Sequence, residues 1–420
     1  MTSENAPKEA FVWIWLPAAV EPVVAGKLST DAGGRLRFNY GKSYLERVMD
    51  DPPAIPIYEP ELPLRQGLLP LADGLSMPGC IRDAAPDAWG RRVIINKKLG
   101  RQGQKTDTIE LSELTYLLES GSDRVGALDF QRSATEYRPR SAANVSLDAL
   151  LASADRVERG IPLSPELDQA IFHGTSIGGA RPKALIQDAD RRYVAKFSSS
   201  ADLYNVVKAE FIAMRLASLA GIQTAAVKLV KAAGKDVLLI ERFDREKTPR
   251  GWTRRAMVSA LTLFALDDMM ARYASYETFA EIIRHRFDRP KDTLKELFSR
   301  LVFNVLCGNT DDHARNHAAF WDGSRLRLTP AYDICPQGRT GNAASQAMLI
   351  SGTNNLRTLA TCLRAAPQFL LSPEKAQAII DRQIDTIRTH WESVCEEAQL
   401  SEADRNMLWN RQFLNPFIFE

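Results

Sequence analysis

The sequence predicts an α+β fold laid out in three segments, and three patterns carry that expectation. Short apolar runs broken by turn residues fill roughly the first 41 positions, apolar runs alternate with single helical stretches over 145–245, and most of the chain after Ala256 has the three-to-four-residue apolar period of helices. At 420 residues the chain is too long for one ordinary core. The expected segments are 1–131, a small α/β module; 145–245, a sheet-rich region; and 246–420, a helical lobe, with the polar stretch around Pro139 as the first boundary.

In chain order, residues 11–16, 25–28 and 35–40 read as strands of a small antiparallel sheet, with Asp31-Ala32-Gly33-Gly34 as a turn. Prolines at 52, 53, 56, 60 and 63 predict an extended connection, followed by helices over 83–99 and 110–119. Ser146 and Ser164 are placed to cap helices over 147–157 and 165–172, the second with Pro165 at its first position. Strands follow at 183–187 and 193–197, a helix over about 203–220 ending at Gly221, and strands at 226–230 and 237–243. Beyond Ala256 the helical pattern is interrupted only over 308–345.

Composition narrows the function classes. Hydrophobic residues make up 45% and charged residues 25%, the balance of an ordinary globular protein. With 54 Lys plus Arg against 52 Asp plus Glu, the net charge of +2 supplies no whole-molecule field for nucleic acid, so any DNA contact needs a local patch or a partner. Five scattered cysteines without CxxC spacing support neither a disulfide framework nor a thiolate zinc site, and a reducing cytoplasmic location is expected. The 11–16 run is too short to span a bilayer, and Glu4 and Glu9 stand where a signal peptide carries positive charge, so no membrane association is expected.

The chemistry concentrates in Gly308-Asn309-Thr310-Asp311-Asp312-His313-Ala314-Arg315-Asn316 and the later Tyr332-Asp333. Metal-assisted phosphoryl transfer needs a carboxylate to accept the proton of the attacking hydroxyl, an Asn five residues later on a magnesium ion, and a later Asp holding metal against the phosphates. Asp311, Asn316 and Asp333 reproduce that order, which assigns Asp311 as the catalytic base and Asn316 and Asp333 as Mg²⁺ ligands. Two rivals remain: a transition-metal site using His313 and His317, four apart on one face of a helix, and a purely structural Asx-rich turn. Upstream, Gly178 and Gly179 precede a strand, where glycines let backbone amides close on phosphates, or simply make a turn. Lys196 alternates with apolar neighbours on its strand and is either a solvated lysine or a phosphate ligand. Glu210 interrupts the stripe Leu203, Val207, Met214, Ala217, and a carboxylate there needs a partner such as Lys196 or must reach solvent past its own stem. Glu241 and Phe243 end a buried strand where a nucleotide-binding lobe would meet the adenine, unless they simply close the strand in a charged surface turn. The order of glycine loop, lysine strand, glutamate helix, further strands and helical lobe is that of a bilobal, protein-kinase-like fold.

Taken together, the chain resembles the HipA family of toxin kinases. The resemblance rests on TSIGGARPKALI from Thr175, YVAKF from Tyr193, AEFIAMRLASLAG from Ala209, LLIERFDR from Leu238, GNTDDHARNH from Gly308 and LTPAYDI from Leu328. Near the N-terminus it rests on DAAPD from Asp83 and GSDRVGAL from Gly121. It implies a serine/threonine protein kinase using ATP and Mg²⁺, with Lys183 and His313 joining Lys196, Glu210, Glu241, Phe243, Gly178 and Gly179 around the nucleotide. It further implies an aminoacyl-tRNA synthetase as substrate, typically that for glutamate, whose modification halts translation and growth. A HipB-like helix-turn-helix antitoxin is the implied partner, with operator DNA engaged through that complex. Ser176 is the matching position for inactivating autophosphorylation, with Thr175 as a second candidate, because charge added there would repel the nucleotide phosphates. The chain departs from the family at Gly179-Ala180-Arg181-Pro182-Lys183 and at Asp312, where glycine is common. A small-molecule phosphotransferase with the same catalytic residues, and a catalytically idle nucleotide-binding co-repressor partner, are the alternative functions.

Overall fold

The computed structural model describes residues 7–99, 111–140, 147–158, 181–198, 202–338, 341 and 343–420. They form two compact units, one of Met1–Ala201, Lys231–Val258 and Trp321–Ser324, the other of Asp202–Val230, Ser259–Phe320 and Arg325–Glu420. The first unit opens with strands β1 (Glu9–Ile14), β2 (Val23–Thr30) and β3 (Leu36–Tyr40), antiparallel as the apolar pattern predicts. The β2–β3 turn is closed by Asp31, whose carboxylate accepts from the amides of Gly33 at 2.9 Å and Arg35 at 3.0 Å. The helix predicted over 83–99 starts only at α1 (Ala88–Leu99), past Pro86, whose missing amide cannot join the intrahelical ladder; a separate short turn, Gly79–Arg82, precedes it. Helix α2 (Glu113–Glu119) starts at the Ser112 cap.

A fourth strand, β4 (Leu128–Gln131), pairs with β1 and completes the sheet order β3-β2-β1-β4. Alternation does not announce it, because its Asp129 is buried, accepting from Arg124 at 2.9 Å and Arg140 at 2.8 Å. Helix α3 (Leu147–Glu158) matches the 147–157 expectation, whereas the helix expected over 165–172 lies outside the described residues.

Strands β5 (Lys183–Gln187) and β6 (Arg192–Phe197) come next. The chain then contributes α4 (Val206–Leu219) and β7 (Val227–Ala232) before β8 (Lys235–Glu241) pairs antiparallel with β6. On one face of the β5–β6–β8 sheet Ala184, Ala195, Phe197, Val237 and Leu239 are all buried, so the lysines of β5 and β6 occupy the other.

A hairpin unexpected from the sequence follows, β9 (Arg245–Thr248) and β10 (Gly251–Arg254). Arg245 and the neighbouring Arg242 and Asp244 hide the strand signal because their charges are neutralised inside the fold. Asp244 accepts from Arg242 at 2.8 Å, Arg245 at 2.9 Å and the Gly126 amide at 2.8 Å, while Asp123 takes Arg245 at 2.8 Å and Arg242 at 3.1 Å. Burial alone would raise the Asp244 pKa, but the two guanidiniums overcome it and hold it down at about 2. The corner carrying Glu241 and Phe243 is thereby fastened to the 123–126 loop.

In the second unit, α5 (Tyr276–Arg286) is capped by Ser275, and α6 (Pro290–Cys307) has proline at its start. From Leu297 to Cys307 every residue of α6 is buried, the all-round burial of a central core helix. Strands β11 (Ala318–Trp321) and β12 (Leu326–Leu328) lie within the predicted break, then α7 (Leu359–Ala365) and the long α8 (Pro373–Glu397). Helix α4 packs on α8, with Arg215 bonded to Glu397 at 3.0 Å and Lys208 to the Gln399 carbonyl at 2.6 Å. All five cysteines are buried thiols, and among the described residues no helix is long and apolar enough to cross a membrane.

Candidate active site

The catalytic segment is launched by the end of α6. Gly308 terminates the helix at φ 79°, and a Cβ there would sit 2.7 Å from the Gln412 carbonyl oxygen, so only glycine turns the chain at this point. Asn309 is buried and bonded through its side-chain amide to the Asn304 side chain at 3.0 Å. The two following aspartates then separate: Asp311 is exposed, while Asp312 is 1% exposed and accepts from His317 Nε2 at 2.9 Å and from the Tyr276 hydroxyl.

Residues Ala314–Asn316 make a single 3-10 turn closed reciprocally, the Asn316 amide meeting the His313 ring and Asn316 Oδ1 accepting from the His313 amide at 2.9 Å. Asn316 Nδ2 donates to Asp333 Oδ2 at 2.8 Å, which joins the two residues expected to hold metal. Asp333 adopts φ 60°, a left-handed conformation that costs free energy in a non-glycine residue and recurs at functional sites. Tyr332 beside it donates to the Arg315 carbonyl at 2.7 Å, closing the 3-10 turn onto the Asp333 segment. The Asp311 carboxyl is raised above its ordinary pKa, first by lost solvation, with Asp333 and Asp312 adding to the rise and His313 opposing it. Asp311, His313, Asn316 and Asp333 therefore act on one locality.

These residues fit a hard divalent cation. An amide oxygen carries two lone pairs, so Asn316 Oδ1 can accept from His313 and still offer one to a metal. Among the described residues no group of three or more His, Cys, Asp or Glu side chains is arranged to hold a metal ion. A cation held by one carboxylate and one amide must take the rest of its shell from water and phosphate oxygens, which is how Mg²⁺ is held in phosphoryl-transfer sites. The transition-metal rival loses its geometric premise, since His313 and His317 flank a three-residue turn and share no helix face, with His317 turned inward to Asp312.

In the other unit Lys183 and Lys196 are direct cross-strand partners, so both side chains leave the same face of the sheet. Two like charges opposed on a sheet are mutually destabilising, an arrangement suited to an anion. Glu241 ends β8 and binds Arg191 at 2.8 Å, and Phe243 is half-buried in the corner behind it. Glu210 lies on α4, in the second unit, and is 3% exposed. Thr175, Ser176, Gly178 and Gly179 lie outside the described residues. Sequence reasoning missed Tyr276 as the partner of Asp312, and Asp268, which pairs with Arg315 inside the catalytic segment. The one available signal was His317, read there as a rival metal ligand.

Comparison with known proteins bears on the family and the fold. Residues 16–131 match the HipA N-terminal domain and residues 175–391 the HipA-like C-terminal domain. A Sinorhizobium fredii protein named "Putative kinase Y4mE" is 23% identical over 338 residues, 74% of each chain. The "Serine/threonine-protein kinase toxin HipA" of Shewanella oneidensis is 27% identical over 158 residues, 34% of this chain and 36% of the toxin. Among solved structures, "Shewanella oneidensis MR-1 Toxin Antitoxin System HipA, HipB and its operator DNA complex" superposes with a TM-score of 0.67 at 19% identity, covering 96% of this chain and 95% of that one. The architecture is thus the mixed α/β, protein-kinase-like fold of that structure.

Proposed function

This chain belongs to the HipA family, and on that premise we propose that it is a Mg-ATP-dependent serine/threonine protein kinase acting as the toxin of a toxin–antitoxin pair. The observation that carries the reading is the Asn316–Asp333 hydrogen bond of 2.8 Å beside an exposed Asp311 five residues before Asn316. Bound Mg-ATP supplies the transferable phosphoryl group and neutralises its charge. Asp311 accepts the proton of the attacking hydroxyl and aims its oxygen, with a carboxyl pKa displaced upward toward that work. Asn316 and Asp333 would hold the cation, and their mutual hydrogen bond sets their separation before any ligand arrives. Within the first unit, Lys183 and Lys196 would take phosphate charge, and the backbone from Glu241 to Phe243, kept rigid by the Arg242–Asp244 pair, would receive a base. His313 serves the nucleotide side through its grip on Asn316.

The partner we propose is a HipB-like helix-turn-helix antitoxin, which would bring operator DNA to a kinase whose own net charge of +2 is too small to hold it. The solved relative is described as a complex with HipB and operator DNA, which supports this partner. An aminoacyl-tRNA synthetase is the proposed substrate and Ser176 the proposed autophosphorylation site. The test is transfer of labelled γ-phosphate into a soluble protein extract and into a metabolite pool. Wild-type chain should label protein, while Asp311→Asn and Asp333→Asn should fall by at least about a hundredfold with unchanged melting temperature. Undiminished transfer by either variant contradicts the assignment, and label confined to metabolites points to a small-molecule phosphotransferase.

A further inference from the structure

Asp311 and Asp312 are adjacent and chemically identical, yet one faces solvent and the other is sealed in the second unit. Burying a carboxylate costs several kcal/mol unless donors meet it. Here Tyr276 and His317 meet it, both essentially buried, with the tyrosine oxygen also 3.4 Å from His317 Nε2. Neither donor is on a loose segment. Tyr276 begins α5 with its amide bonded to the Leu349 carbonyl at 2.9 Å, and the Ala260 amide fixes His317 through its carbonyl at 2.8 Å. The ring of His317 also packs edge-on against Tyr276 and Phe279, with centroids 5.6 and 5.8 Å away.

We propose that Asp312 is a positioning residue that, anchored by Tyr276 and His317, turns the preceding carboxylate outward toward the phosphate-accepting hydroxyl. The inference deepens the kinase reading and rests on Asp311 as the proton acceptor. Asp311 stands in the turn that follows Gly308 and is joined directly to Asp312, so holding Asp312 inward fixes the backbone from which the exposed Asp311 carboxylate projects. Asn316 has its own tethers to His313 and Asp333, so the Tyr276–Asp312–His317 set acts on orientation of the base and leaves metal holding to the others.

The test compares wild-type chain with Asp312→Ala, Asp312→Asn, Tyr276→Phe and Asp311→Asn. Initial rates of labelled γ-phosphate transfer into a soluble protein extract are measured over a range of Mg-ATP, well below each melting temperature. Misaimed by about an ångström, the base should lose roughly ten- to a hundredfold in kcat while KM for ATP stays within about twofold. Asp312→Asn, which keeps one acceptor oxygen, should recover part of that loss. A folded Asp312→Ala with wild-type kcat overturns the proposal, as does a loss that only tracks the unfolded fraction. If Asp312→Ala does not fold, Tyr276→Phe carries the test: it removes one hydroxyl, should lower kcat several-fold at unchanged KM, and overturns the proposal if kcat is unchanged. Wild-type rates in Asp311→Asn would instead sink the kinase assignment of that residue, which separates the two failures.

Discussion

At the residue scale, the proximity of Asn316 to Asp333, one hydrogen bond of 2.8 Å, fits the expectation drawn from sequence spacing, with Asp311 and Asn316 lying in one short loop. Asp312 could not be read so, since its environment is set by Tyr276, 36 positions earlier, and a side chain's depth is decided by packing that one sequence does not display. The same limit applies to Asp244. Its carboxylate looks like part of a surface cluster in sequence but is buried between Arg242 and Arg245. Replacing Arg242 with Met should destabilise the protein by about 3–5 kcal/mol, because Asp244 is left buried with part of its compensation removed, and a urea titration measures this. The pH consequence has a definite sign. With a folded pKa of about 2 against an ordinary carboxylate value near 4, Asp244 binds its proton more readily in the unfolded chain. Its contribution is fully present above about pH 4 and fades as pH falls toward 2, so the urea midpoint of wild type should drop over that window more steeply than that of Asp244→Asn.

At the element scale, the strands β5 and β6 and the helices α3 and α4 fall within a few residues of their expected bounds, since each has a clear period and an identifiable stop. The misplaced elements have specific causes. Pro86 delays the start of the helix expected over 83–99 to Ala88, and β4 and the β9–β10 hairpin hide behind Asp129, Asp244 and Arg245, charges neutralised only once the chain is folded. Helix α6 shows how an element aims a site. Its buried length fixes Gly308, and the left-handed turn at Gly308 sends the next residues into the catalytic segment. Gly308→Ala should cost at least about 2 kcal/mol, from positive φ plus a Cβ 2.7 Å from a backbone oxygen, and should lower phosphate transfer along with the melting temperature.

At the scale of the whole molecule, family membership extends over both matched domains, and the kinase-like architecture belongs to the full chain. The division into two discontinuous units could not be read from sequence, because each unit is assembled from three separate stretches of chain brought together only by folding. The near-neutral net charge, by contrast, was legible at once and supplies no whole-molecule field for nucleic acid. What unites these scales is the proposed holding of a cation, with a nucleotide's phosphates, between Asn316 and Asp333. Titration calorimetry of ATP into the full-length chain, with and without Mg²⁺, tests that most directly when Asp333→Asn is run in parallel. The account predicts saturable ATP uptake that needs Mg²⁺ and is lost in Asp333→Asn, whereas uptake indifferent to magnesium, or undiminished in the variant, would contradict it.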